Sequence, residues 1–151
     1  ADKGRAPFIH ALKSILEKAG LVCDIRIITK SKNRSYLHSI SDILTTTSLS
    51  YEEYCKKLVS CGVLLDINQK GQQALTMRVL ESIYFSKKLI TNNKDIIHYD
   101  FYHENNIYIL PDRLSEISPE MILSFLDKPF VSYSDKTLSD YDFDHWKNNF
   151  K

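Results

Sequence analysis

Cysteine is scarce: three residues in 151, Cys23, Cys55 and Cys61, with no CxxC and no Cys/His pair at zinc spacing. That excludes a disulfide framework and a zinc module, and the odd count fits reduced thiols in a core or on a surface. Glycine and proline number only four each, which excludes collagen-like and low-complexity chains. Neither sign of charge prevails, with 20 Lys+Arg against 19 Asp+Glu. A general nucleic-acid binder needs a basic surplus to displace counterions from phosphates, so that class falls away. No stretch reaches the roughly 18 apolar residues of a membrane span, and the first residues form no signal-peptide apolar region, so the chain reads as cytoplasmic. What is present is ordinary for one globular domain spanning 1–151: 43% hydrophobic and 26% charged residues.

The apolar periodicity sets the order of elements. Phe8, Ile9, Leu12, Ile15 and Leu16 share a helical face within Ala6–Ala19, and Gly20 supplies a stop. Leu21–Thr29 is β-branched and reads as a strand before the polar loop Lys30–Ser35, and Ile43–Leu49 is the next strand candidate. Ser50 with Glu53 forms a capping box opening a helix over Tyr51–Ser60, with Tyr54, Leu58 and Cys55 inward. The short apolar run Val63–Ile67 suits a strand covered on both faces. A polar loop, Asn68–Gln73, leads into a helix over Leu75–Phe85 with Leu80, Ile83 and Tyr84 on its buried side. Strands follow at Leu89–Thr91 and Asn106–Leu110, then a helix over Glu120–Leu126 begun by Ser118-Pro119. Residues 130–151 form an aromatic tail closing with a helix over Asp142–Phe150. Strand and helix alternate, which predicts a doubly wound, mostly parallel, Rossmann-like α/β domain. Such domains open on a strand and this chain opens on a helix, so its first strand is expected to be missing, as in a fragment.

In an open parallel sheet, ligands bind beyond the carboxyl ends of the strands, which directs the search to the loops after Thr29, Leu49, Ile67 and Thr91. The segment Asp66–Glu81 (DINQKGQQALTMRVLE) carries Gly71 in a polar loop that runs straight into a helix N-terminus. Free N–H groups and the helix dipole favour a phosphate there, and Glu81, about two turns on, suits a ribose hydroxyl. A one-glycine loop before a helix is also a common structural turn, and the residues alone leave both readings open. His98 and His103, five apart, suit no shared helical face and no metal site.

The string GQQALTMRVLESIYFSKKLIT, followed by NNKDIIHYDFYHENNIYIL, resembles the C-terminal nucleotide-sugar-binding domain of GT-B glycosyltransferases of bacterial lipopolysaccharide, capsule and exopolysaccharide synthesis. The resemblance covers most of the chain: a KGR-type loop and helix, a YEEY-type helix before an ILDI-type strand, the G-Q-x-x-L-T-M-R-x-x-E helix, a K-K-L-I-T-x-N strand, a Y-D-F-Y segment and a closing helix with Trp146.

It implies that Gly71 to Met77, with Gln72, Gln73, Leu75 and Thr76 among them, lies against the donor diphosphate, with Thr76 and the backbone of Leu75 and Met77 as donors and Glu81 on the ribose; Arg78 fits equally a phosphate contact and a solvated helix surface. Lys3 and Arg5 match basic positions that face the diphosphate; as residues they equally fit a solvated charge run. Many members carry two glutamates with seven residues between them, and here Gln73 stands at the first position, which puts their retaining mechanism in doubt. No catalytic residue is assigned. No cofactor and no metal are implied, the diphosphate being met by a helix dipole and basic side chains, with no Asp-x-Asp for a bridging cation. The expected partners are a nucleotide-diphosphate sugar, an acceptor-binding N-terminal domain missing from the chain, a membrane surface reached through that domain, and a second copy through the Trp146 face. The rival reading is a noncatalytic flavodoxin-like or receiver-like regulatory or interaction module, in which Asp66 would mimic a phosphorylatable aspartate.

Overall fold

The structure is a computed structural model and describes residues 5–29, 40–69, 71–72 and 74–142. It is an α/β chain with parallel strands, compatible with a Rossmann-like arrangement, and the strands form two sheets, of two and three strands. The residues divide into two compact units, one of Ala1–Lys56 with Pro111–Ser124 and one of Lys57–Leu110 with Phe125–Lys151.

In the first unit, α1 (Ala6–Lys18) takes Pro7 in its first turn, where a missing N–H costs nothing, and buries Ala6, Leu12 and Leu16. It ends as a Schellman motif: Gly20 adopts φ +83°, its N–H reaches Glu17 O at 2.9 Å, and Leu21 N–H reaches Leu16 O at 3.2 Å. A residue with a Cβ is strained at that φ, which is why glycine stops this helix. The expected strand over Leu21–Thr29 shortens to β1 (Ile27–Ile28), paired in parallel with β2 (Leu44–Thr45). Val22, in the earlier part of the run, is fully exposed. Ile40 and Ile43 join Ala6 in the core, with Ile9, Ile27 and Leu44 against them. Asp42 accepts from Lys13 Nζ and His10 Nε2, each at 3.2 Å, and the Lys13 bond holds its carboxyl below the ordinary value.

Next comes α2 (Tyr51–Ser60), whose capping box is reciprocal. Glu53 N–H donates to Ser50 Oγ at 3.2 Å, and Ser50 N–H donates to Glu53 Oε2 at 2.9 Å. The helix buries Leu58 and leaves Tyr54 and Cys55 half-buried. α4 (Pro119–Asp127) begins on Pro119, as the Ser-Pro pair predicts.

The second unit holds β3 (Val63–Asp66), β4 (Lys88–Thr91) and β5 (Ile107–Ile109), parallel and in that order, with Asp66 opposite Thr91. Between β3 and β4 the chain crosses through α3 (Met77–Tyr84), which lies against both strands and buries Val79, Leu80 and Ile83. Tyr84, expected inward, is half exposed, and its hydroxyl donates to Asp142 at 2.8 Å: three apolar residues already fill the inner face. Lys88 opens β4 at 9% exposure, and its ammonium donates to the carbonyls of Phe125, Leu126 and Lys128 at 2.6, 2.9 and 2.6 Å. It thus serves the end of α4, where Phe125 O also accepts from Lys128 N–H at 3.3 Å, while burial pushes its pKa down. Asn106, fully buried, donates to Val131 O at 2.7 Å and accepts from Val131 N–H at 2.9 Å, so its amide tethers the 131 segment beside β5 as a neighbouring backbone would. A further helix, α5 (Asp135–Asp140), is capped by Ser134. The expected closing helix lies, from residue 143 onward, outside the described residues, and Trp146 with it.

Candidate functional site

The carboxyl ends of β3 and β4 carry a polar network of side chains and backbone. Asp66, the last residue of β3, is 4% exposed. Thr76 Oγ1 donates to its Oδ1 at 2.9 Å, and Thr91 Oγ1 donates to its Oδ2 at 3.2 Å. Thr91 Oγ1 in turn accepts the Asn93 N–H at 3.1 Å. Beside it, Asn92 accepts from Asn68 N–H at 2.7 Å and donates to Asn68 O at 3.1 Å, which ties the loop after β3 to the loop after β4.

Thr76 is the N-cap of α3, in extended conformation, and its side chain makes no capping hydrogen bond to the helix. Its hydroxyl is committed to Asp66, so the first turn keeps its N–H groups uncapped by Thr76. That turn holds no acidic residue and includes Arg78. The helix end presents the positive end of a dipole, while Val79 and Leu80 N–H turn back to Thr76 O at 3.1 and 3.4 Å.

No protein-family model, curated protein or solved structure matches this chain.

Among the residues singled out from the sequence, Gly71 has φ +85°, the left-handed conformation that turns the loop toward α3. Gln72 N–H donates to Gln69 O at 3.0 Å within that turn. Leu75, Thr76 and Arg78 are half-buried and Met77 is 52% exposed. Glu81 is not an open carboxylate: it accepts from Arg78 NH1 at 3.2 Å, one turn back on the same helix. The two residues expected to contact a ligand are thus paired with each other. Lys3 and Gln73 lie outside the described residues. Arg5, the N-cap of α1, belongs to the first unit, whereas 71–81 belong to the second.

His103 Nδ1 accepts the Asn105 N–H at 3.1 Å, a turn contact. Phe101 is buried between Tyr99, stacked at 5.3 Å, and Tyr141, edge-on at 4.8 Å, so these aromatics build the fold. Among the described residues no group of His, Cys, Asp and Glu could hold a metal ion, and no helix is long and apolar enough to cross a membrane.

Asp66, Asn68, Thr91 and Asn93 were not assigned to the site from the sequence. Their signal is positional: each falls at or just past the carboxyl end of a strand.

Proposed function

We propose that this chain is the donor-binding half of a glycosyltransferase of bacterial surface-polysaccharide synthesis, taking a nucleotide-diphosphate sugar. The observation that carries the reading is α3, which rises from the carboxyl edge of a parallel sheet with its first turn uncapped by Thr76 and free of acid, inside the G-Q-x-x-L-T-M-R-x-x-E sequence that resembles the donor loop of those enzymes. In this reading the diphosphate meets the start of α3 at Thr76 and Met77, and Glu81 accepts from a ribose hydroxyl. A separate acceptor-binding domain supplies the catalytic base, and the chain alone transfers nothing. Asp66 fits this scheme as a brace: both its oxygens are taken by threonine hydroxyls, which fixes α3 on β3. The same sealing disfavours the receiver reading, since a phosphoryl acceptor needs a carboxylate oxygen open to attack.

Thermal shift with millimolar uridine, guanosine, cytidine and adenosine diphosphates tests the proposal. Stabilisation by one of them, reduced in Glu81→Ala, is expected; no stabilisation by any contradicts it.

A further inference from the structure

Two side chains at this sheet edge have hydrogen-bonding capacity that the protein does not use. Asn68 and Asn93 are each 6% exposed. Asn68 has no partner at Nδ2 or Oδ1, and Asn93 has none at Nδ2. Buried amides are nearly always satisfied, and an unmet one is costly, so each such group calls for a reason. Neighbouring residues show that the region is otherwise well paired: Asp66, Thr76, Thr91 and Asn92 all have partners here. Asn68 and Asn93 each lie two residues beyond the register pair Asp66–Thr91, so both belong to the carboxyl edge of the same two strands.

The chemistry of the unused groups limits what they can take. Asn93 Oδ1 accepts the Asp95 N–H at 3.1 Å, which fixes that amide's orientation and leaves it a donor. Asn68 offers both donors and an acceptor. A phosphate or carboxylate supplies acceptors only and leaves Asn68 Oδ1 unmet. A pair of adjacent hydroxyls supplies both: one donates to Oδ1 while its neighbour accepts from Nδ2, and a third accepts from Asn93. We propose that Asn68 and Asn93 bind hydroxyl groups of the sugar carried on the diphosphate, and so make the site selective for a neutral, hydroxyl-rich sugar. This rests on the donor-binding reading. It places the sugar beside the end of α3, as a group bonded to the terminal phosphate requires, linked to that helix end through Asp66 and Thr91.

The test is calorimetry on the whole chain with paired probes: the uridine, guanosine, cytidine and adenosine diphosphates, and each carrying glucose, galactose, mannose or N-acetylglucosamine. Wild type, Asn68→Leu and Asn93→Asp are compared, the last keeping the contact to Asp95 while replacing a donor by an acceptor. One sugar form is expected to bind wild type roughly tenfold tighter than its bare diphosphate, and both variants should erase that gain while holding diphosphate affinity within about twofold. Asn68→Leu should melt no lower than wild type, because the folded protein makes no use of the amide. The inference is overturned if no sugar form gains over its diphosphate, or if the variants weaken both probes equally, as a contact to the base or phosphate would. A lower melting temperature for Asn68→Leu with the sugar gain intact also overturns it, by showing that the amide serves internal structure or water. If no diphosphate binds, the donor-binding reading itself has failed.

Discussion

The ammonium of Lys88 has three hydrogens and meets three carbonyl oxygens, so one buried cation completes the end of α4 without a carboxylate. Lys88→Met keeps most of the apolar stem but removes the donors to those carbonyls, of which Phe125 O keeps the Lys128 N–H, and chemical denaturation should show a loss of roughly 3 kcal/mol. A change within experimental error would mean that water serves the helix end equally well. Nothing in the sequence marks this role, because Lys88 sits in a run of two lysines and its partners lie 37 to 40 residues away. Asp66 was legible as a strand-end carboxylate, yet its role depends on Thr91, which the parallel register places opposite it, and on Thr76 at the start of α3. Asp66→Ala should cost about 2 kcal/mol by leaving both hydroxyls unpaired. Asp66→Asn retains an acceptor and a donor, so its loss should be smaller; equal losses in the two variants would show that charge, not hydrogen bonding, is what the site needs.

Elements with strong local signals were legible. The Ser50–Glu53 box, Gly20 and Pro119 fixed the ends of α2, α1 and α4, because caps and stops act within a single turn. Ser50→Ala should destabilise by about 1 kcal/mol on thermal melting, with a matching loss in Glu53→Ala if the box acts as a unit. The strands were placed well where the apolar run is continuous, as in β4, buried throughout, and β3, which was expected to be covered on both faces but alternates half-buried Val63 and Leu65 with buried Leu64 and Asp66. They were placed poorly where pairing alone decides the length. Leu21–Ile25 has the β-branched and apolar character of a strand but no strand partner among the described residues, where Ile27–Ile28 pairs. The helix α5 went unforeseen: its cap, Ser134 accepting from Thr137 N–H at 3.1 Å, is a three-residue signal in an aromatic, polar tail. Of the candidate site, the loop and helix of 71–81 were legible from their residues, whereas the network on the loops after β3 and β4 needed the sheet.

At the scale of the molecule, ionisation should expose how much of the fold rests on neutral phenols. Burial pushes the pKa values of Tyr108 and Tyr133 up, and burial with the hydrogen bond to Asp100 pushes Tyr141 well up. Unfolded tyrosines lose their protons near their ordinary value of 10.0 while these three keep theirs, so stability is held below that pH and falls as pH rises past it. The depressed pKa of Lys88 acts the other way, its charging cost being relieved between its folded value and 10.5. The melting temperature is therefore expected to fall between about pH 10 and pH 12, less steeply in Tyr141→Phe; an unchanged slope in that variant would remove Tyr141 from the effect. The proposed function makes this a domain that binds one small anionic ligand at the carboxyl edge of its parallel sheet. Backbone amide shifts of the isotope-labelled chain, titrated with the same four nucleoside diphosphates, test that claim most directly. The expected result is a saturable change centred on Gly71 and Thr76–Arg78, with weaker changes at Asn68 and Asn93; no change, or a change confined to residues away from the carboxyl ends of β3 and β4, would contradict it.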